Sequence, residues 1–589
     1  MHNQYPRSVC PRFLKILHFD AYTTTTYLFR INPTSCAAAL PKLFHIIFPD
    51  LQSHARAIHL PVARCLGKLV LQCISDDMIA TAIAAVNAEK KIRTPLHEII
   101  AITENGLGIR YQSAWNEVLV LLQALFKRLH RASSPLLHTT LELMGELRLA
   151  PEDTYKERLE AALGVAVANM GPEKFLQVLP LNLESPGTSK AVGRAFLLPL
   201  LKDYITNTEM GYFVRELIPL GDRLAQKSQE FAEQGREIEA KIYETLTQQI
   251  WSLAPGFCDL PLDLPQAFTK TIAERFSNVL YSQPDLRPVI SQGLQALVEK
   301  NQALARSDAE DEDLQKAYGL TKAEATRNVQ IMSSFAVNYL AVYFNVFSQA
   351  LPMYRGYILD VIKCYLGITG AKDINTTFKK VLTLLSQSLT NSISAIIDPN
   401  TPPPMSHTMM DLAITMVPFL DLESTQHLYT LITSSLLLRE DEPTLQKKTY
   451  KVLNRMAENE IGRAILLRNI NDLQTRLLDA MGTTAPSSKK DRLQTLLNTV
   501  KLLPTTDLHL IPSILSEAVV CTKEVNEKAR ILSYDLLVTM GNKMREGGIV
   551  VNSKVDGMDE DMPDGRWNAV WFNCFDEIYV LFFLPYANT

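Results

Sequence analysis

Basic side chains at helical spacing are the residues with the clearest chemistry to offer. Lys447, Lys448, Lys451 and Arg455 follow Pro443, and steps of three and four residues place them on one side of a helix. Leu445, Val452, Leu453 and Met456 keep the apolar stripe of that helix. Lys523, Lys528 and Arg530, with Lys543 and Arg545, lie in a later helical unit. Residues 445–545 hold 16 Lys and Arg against 10 Asp and Glu, a balance of +6, while the rest carries 43 against 53 and the whole chain is −4. Brought into line, such cations would neutralise phosphates, and binding would weaken with salt. Tyr450 and Tyr534 are the only aromatic residues between 445 and 545, so base stacking has little to work with. An RNA contact here would be to backbone, with weak sequence preference. The candidate residues are Lys447, Lys448, Lys451, Arg455, Lys523, Lys528 and Arg530; the plain alternative is an ordinary solvated repeat surface.

Other chemistry is not encoded in recognisable form. There is no GxxxxGK[ST] phosphate loop, HExxH or GxSxG, and Gly106-Leu-Gly108 lacks the third glycine and the preceding strand of a dinucleotide site. The eleven histidines are dispersed; His45, His97 and His130 sit in or beside helical runs and read as boundary residues. Glu458 and Glu460 are two apart and do not share a helix face. No nucleophile stands beside a base. The eight cysteines are scattered without a CxxC pair, as expected of a reducing compartment. No enzyme, cofactor, metal or small-molecule substrate is expected.

The elements that must position the cations are repeated helices. Pro95 to Pro135 is 40 residues, Pro402 to Pro443 is 41 and Pro443 to Pro486 is 43. A step of about 40–47 residues with two helices per unit is the signature of HEAT or armadillo repeats. At 589 residues, 47% hydrophobic and 21% charged, the chain is too long for one compact core but well suited to an array. The expected fold is therefore all-α, a helical-repeat superhelix or solenoid. Val118, Leu122, Leu125 and Leu129 trace one helix face. Asp76 and Asp77 occupy an N-cap position, and Pro135 and Pro151 suit first turns. Arg223 to Trp251 reads as nearly continuous, with Gly235 as a break.

The expected organisation is an irregular segment over 1–58, with one helical run from Cys36 to Phe48, then a first helical lobe over 59–306. An acidic loop over 307–320, carrying SDAEDED, divides the array; central repeats cover 321–397, and a proline-rich connector 398–406. Further repeats occupy 407–546, with Val525, Ala529, Leu532, Leu536 and Met540 as the last stripe, and 547–589 is an irregular tail. Phe335 to Leu351 is apolar, yet Asn338, Asn345, Ser348 and Gln349 favour a buried repeat helix over a membrane span. No early apolar signal segment and no membrane partner is expected. Residues 566–589 lack a repeat period, which leaves two readings, a natural chain that continues or a stretch that is not native sequence.

Several phrases resemble the ribosomal RNA processing protein twelve family. VLPLNLESPGTSKAVGRAFLLPLLKDYITNTEMGYFVRELIPL runs from Val178 to Leu220, EAKIYETLTQQIWSLAPGFC from Glu239 to Cys258, and SQPDLR from Ser282 to Arg287. QKKTYKVLNRM at 446–456 and EVNEKARILSYDLLVTMGNKM at 524–544 share its texture. The resemblance covers roughly 60 to 547 and implies a non-catalytic scaffold that joins pre-ribosomal particles in the nucleolus and nucleus, shuttling to the cytoplasm. It implies contacts with rRNA and assembly factors, roles in small-subunit rRNA maturation and subunit export, and ties to nuclear transport machinery. Family members are longer, with more repeats and a basic tail that this chain does not show. A karyopherin-type nuclear transport receptor is the alternative on the same architecture, since fold does not fix function. A scaffold for a phosphatase or kinase is a third reading.

Overall fold

A computed structural model describes residues 22–546 apart from 54, 89–92, 150–153, 185–192 and 391–399. The expected irregular tail over 547–589, the start of the N-terminal segment and Pro151 lie outside the described residues. All regular structure among the described residues is helical. The chain divides into two units, Met1–Asn328 and Val329–Thr589.

The first unit begins with more order than its composition suggests. Residues 22–31 are helical, and Pro33–Ile47 forms a second helix, followed by a 3-10 turn over Phe48–Gln52. Pro33 and Pro49 stand in first turns, and Pro41 is carried inside the helix without ending it. Asn32 caps the second helix by accepting from the Ser35 amide at 3.0 Å, and Pro33 takes the first turn, where a missing N–H costs nothing. Leu40 and Phe44 are fully buried there.

Helices α1 (Arg56–Cys73), α2 (Trp115–Leu129) and α3 (Lys156–Met170) then pack in succession. The stripe Val118, Leu122, Leu125 and Leu129 is buried, as its spacing requires. At 76–77 the cap is Ser75, whose hydroxyl accepts from the Met78 amide; the two aspartates sit in the first turn, where negative charge suits the helix N-terminus. Long-range side chains tie the succession together. Arg128 donates to the Ile74 carbonyl at 2.8 Å and to Asp76 at 2.7 Å, and Tyr155 donates to the Gln112 carbonyl at 2.8 Å.

The run expected from 223 to 251 is a hairpin of α4 (Ile218–Glu233) and α5 (Glu237–Trp251), packed along each other. Gly235 turns the chain at φ +72°, a backbone region that side chains disfavour.

The acidic segment 307–320 is only partly a loop, because Asp311–Tyr318 forms a helix. Asp311, Glu312 and Asp313 fall in its first turn, where their charge is favourable. Leu314 supplies the one apolar anchor this short helix needs, packing with Leu260, Leu304, Leu320 and Ala325, and Gly319 ends it in the left-handed region. The division of the chain falls later, at 328/329 within helix α6 (Lys322–Gln349). Among the described residues, α6 is the one unbroken helix long and apolar enough to cross a membrane. Met332, Ala336, Tyr339, Tyr343 and Phe347 recur along it and are buried, the pattern of a core helix.

In the second unit, residues 400–404 are non-helical and end at Pro404, whose extended backbone precedes α7 (Met405–Met416). α8 (Pro443–Glu458) packs on α7, α9 (Lys489–Leu502) on α8, and α11 (Glu527–Arg545) on α9. A second row holds Leu422–Ser435, Glu460–Arg468, Ile470–Asp479 and α10 (Leu510–Cys521). Val525 departs from the expected stripe: it lies in the turn before α11 and is 96% exposed, whereas Ala529, Leu536 and Met540 are buried. Asn526 caps this helix, so its apolar phase starts after Val525.

Polar side chains cross between repeats inside this unit. Arg492 is fully buried; it forks onto Glu517 at 2.6 and 2.8 Å and donates to the Leu477 carbonyl at 2.9 Å and the Tyr450 hydroxyl at 3.2 Å. Burial alone would depress its ionisation, but the Glu517 carboxylate more than compensates and holds the guanidinium charged. Arg492→Leu is expected to cost about 3–5 kcal/mol in denaturant unfolding, because Glu517 is left uncompensated. The double change Arg492→Leu/Glu517→Leu is expected to recover part of that loss; equal destabilisation by both would refute the pinning role.

Candidate nucleic-acid interface

The basic helix α8 folds as it does because its inner side is fully occupied. Leu445, Tyr450, Val452, Leu453 and Met456 are buried, and Pro443 opens the first turn. Gln446, also buried, spends its whole amide on neighbouring turns. Its nitrogen donates to the Leu437 and Thr483 carbonyls at 3.2 and 3.0 Å, and its oxygen accepts from the Ala485 amide at 2.9 Å. These bonds set the rotation of α8, and the rotation decides which cations reach water.

The expected cluster divides. Lys447, Lys451 and Arg455 recur every four residues and share a face; Lys451 and Arg455 are exposed and Lys447 is half-buried. Arg455 is bonded to Glu458 at 2.6 Å, which offsets part of its charge. Lys448 is not on that face. Its side chain is 15% exposed and its ammonium pairs with Asp411 of α7. Asp411 also meets Arg355 at 3.4 Å. Arg355, itself buried, donates to Thr408 at 2.6 Å and the Phe347 carbonyl at 3.1 Å, and lies over the Phe347 ring. Burial pushes both the Lys448 ammonium and the Arg355 guanidinium down, and Asp411 opposes that in each case. Nearby, burial lowers the His407 imidazole, against Glu442 at 3.4 Å. Lys448 is thus an inter-repeat pin whose charge is consumed inside the protein.

The later candidates scatter. Lys528 is exposed in the first turn of α11, and Lys523 is exposed in the preceding turn. Arg530 is half-buried and donates to the Glu524 and Val525 carbonyls at 2.9 and 3.0 Å, closing that turn.

Two cations of the same face escaped the sequence reading. α9 is buried almost all round; apart from its half-buried end residues Lys489 and Leu502, Lys490, Gln494, Asn498 and Lys501 make up the stripe that is not. Asn498 donates to Asn454 of α8 at 3.3 Å, and Thr495 donates to the same oxygen at 3.0 Å, so the two stripes are neighbours. Lys447, Lys451, Lys490 and Lys501 form no ion pair with a described residue. Positions 490, 494, 498 and 501 are all polar, but so are the buried Asp491, Arg492, Thr495 and Thr499, and that hid the exposed stripe in the sequence. Such a surface can neutralise phosphates; among the described residues no group of His, Cys, Asp or Glu is arranged to hold a metal ion.

Serial helix pairs, polar pins between them and one cationic stripe define a HEAT-type helical-repeat protein. Residues 52–350, half of the chain, match the model of the family described as ribosomal RNA-processing protein 12, HEAT repeats, and the chain belongs to that family. The Saccharomyces cerevisiae protein named ribosomal RNA-processing protein 12 is 31% identical over 541 residues, 90% of this chain and 43% of that protein. A Schizosaccharomyces pombe protein named putative ribosomal RNA-processing protein 12 is 34% identical over 88% of this chain and 43% of its own length. The human RRP12-like protein is 29% identical over 85% of this chain and 36% of itself. The chain therefore spans less than half the length of these relatives. Among solved structures, a Kap121p mutant aligns with TM-score 0.37 and 11% identity over 96% of this chain and 57% of that one. An importin beta aligns with TM-score 0.32 and 9% identity over 91% and 82%.

Lys448 and Lys451 should behave oppositely on substitution. Lys448→Met is expected to lose about 1–3 kcal/mol of unfolding free energy, since it strips the half-buried Asp411 carboxylate of a partner. Lys451→Glu is expected to stay within about 0.5 kcal/mol, as exposed changes do. Denaturant unfolding of both variants decides, and matching stabilities would contradict the assignment of Lys448 to the interior.

Proposed function

We propose that this chain is a non-catalytic helical-repeat scaffold of ribosome biogenesis that acts in ribosomal RNA processing. Membership of the ribosomal RNA-processing protein 12 family is the observation that carries this reading. Its finer form is small-subunit rRNA maturation and export of pre-ribosomal subunits, through contacts with rRNA and assembly factors, in the nucleolus and nucleus. A protein built from stacked helix pairs offers long surfaces for partners. The stripe of Lys447, Lys451, Arg455, Lys490 and Lys501 supports RNA as one of them, by charge and, for its four lysines, by freedom from internal ion pairs. Lys523 and Lys528 extend the set; Lys448 enters only by pinning α8 to α7, and Arg530 only by closing the turn before α11.

The chemistry of such a contact is set by the side chains. Lysines meet phosphates as point charges, and nothing on α8 or α9 offers an exposed aromatic ring for a base. Binding should therefore be salt-dependent and tolerant of sequence.

The 589-residue chain is expected to bind structured RNA in filter binding, with log affinity falling steeply against log salt. The triple variant Lys447→Glu/Lys451→Glu/Lys490→Glu should weaken binding at least tenfold at low salt. It should also reduce the slope by about 2, since each lost phosphate contact removes roughly 0.7–0.9. Unchanged affinity would remove this stripe from the RNA reading. Absence of rRNA precursors from particles sedimenting with the tagged protein would overturn the scaffold reading itself.

A further inference from the structure

The hairpin of α4 and α5 carries a surface that the cationic stripe leaves unexplained. Up to Leu224, α4 is packed in the body of the first unit; beyond it the hairpin is exposed nearly all round, with only Ala240 and Tyr243 buried between 225 and 246. From Leu224 to the turn is ten residues, so the arm projects about 15 Å at 1.5 Å per residue. Gly235 at its tip has open space where a side chain would stand.

This arm is stiffened from within. Phe231 and Tyr243 stack at 5.4 Å with an 11° interplanar angle. Arg236 covers the Phe231 ring at 4.4 Å, and Ser228 donates to the Ala240 carbonyl at 2.7 Å. At the base, Arg223 pairs with Glu184 at 2.6 Å and Lys227 donates to the Glu184 carbonyl. Its aromatic residues are thus spent on its own interior.

Its outer face is not. Ile238 is 77% exposed and Ile242 is 53% exposed, and their spacing of four sets them side by side on α5. Carboxylates flank them: Glu237, Glu239 and Glu244 lie on the same helix. Between 226 and 246 there are five glutamates against Lys227, Arg236 and Lys241. All three cations are already engaged, Lys227 by a carbonyl, Arg236 by Glu239 and Lys241 by Glu244. Glu230 and Glu233 accept only from neutral glutamines, and Glu237 forms no ion pair with a described residue.

We propose that the arm is a protein-docking element, which receives an amphipathic helix carrying an apolar stripe flanked by lysine or arginine. The occupant lies along α5 as a third helix, its apolar stripe on Ile238 and Ile242 and its cations against the unpaired Glu237 and against Glu239 and Glu244, which exchange Arg236 and Lys241 for them. Nucleic acid is repelled by these carboxylates, and a second copy of the arm brings like charge to like charge. The surface lies in the first unit, on residues other than the lysine stripe, so the two are tested separately.

The test uses the full chain and a labelled synthetic peptide of about twenty residues, with leucines at helical spacing and lysines beside them. Fluorescence anisotropy should show saturable binding, weakened at least tenfold by Ile238→Asp/Ile242→Asp. Glu237→Lys/Glu239→Lys/Glu244→Lys should weaken it similarly and restore binding to a peptide whose lysines are replaced by glutamates. Ile238, Ile242 and Glu237 are exposed and Glu239 and Glu244 half-buried in ion pairs, so an unaltered circular dichroism spectrum is required of both variants to show that the arm still folds. Wild-type affinity in the isoleucine variant overturns the proposal. So does a dimer that Ile238→Asp dissociates, which would make a second copy the occupant, or displacement of the peptide by RNA that the glutamate variant does not affect.

Discussion

In the second unit Arg492, Lys448, Arg355 and Gln446 leave water with partners drawn from neighbouring helices and turns. Arg492 reaches Glu517, Tyr450 and the Leu477 carbonyl; Lys448 and Arg355 converge on Asp411; Gln446 closes on three backbone groups. Apolar stripes alone would let one helix pair slide or rotate against another at small cost. An unpaired buried charge costs far more than a shifted leucine, so these pins admit one register. Everything that reaches the surface is what the pinned rotation leaves over.

α9 shows the consequence most plainly. With neighbours on almost every side, it exposes one stripe, and its lysines sit at the two ends of that stripe. Charge on a lone helix would be diluted around its circumference. Here burial concentrates it on one line beside the Lys447, Lys451 and Arg455 line of α8. The same stacking that gives the unit its core thus composes its electrostatic face, with no residue serving both ends at once. The α4–α5 arm is built the opposite way: its stability is internal, from ring stacking and a carbonyl contact, which leaves its outer residues unconstrained by packing.

Much of this was readable from spacing. The forty-residue step and the i, i+3, i+4 stripes required paired helices, and local periodicity is enough for that because a helix face is defined within a dozen residues. Gly235 marked a break, since a left-handed turn selects glycine. The acidic run at 307–313 misled, because charge repulsion was weighed without the helix N-terminus that accommodates it or the single leucine that anchors it. The segment expected to be irregular is helical where it is described, from residue 22, with Pro33 and Pro49 in first turns and Pro41 carried within a helix.

What the amino-acid order determined by itself was the class of structure, the apolar side of each helix and the pool of cations available to a polyanion. Which of those cations meets solvent was decided only by tertiary structure. Lys448 and Lys451 are three residues apart on one helix, with the same side chain and the same local propensity. They differ because a carboxylate 37 residues earlier stands beside one of them and not the other. No window along the chain contains that fact, since it arises when separate repeats are brought face to face.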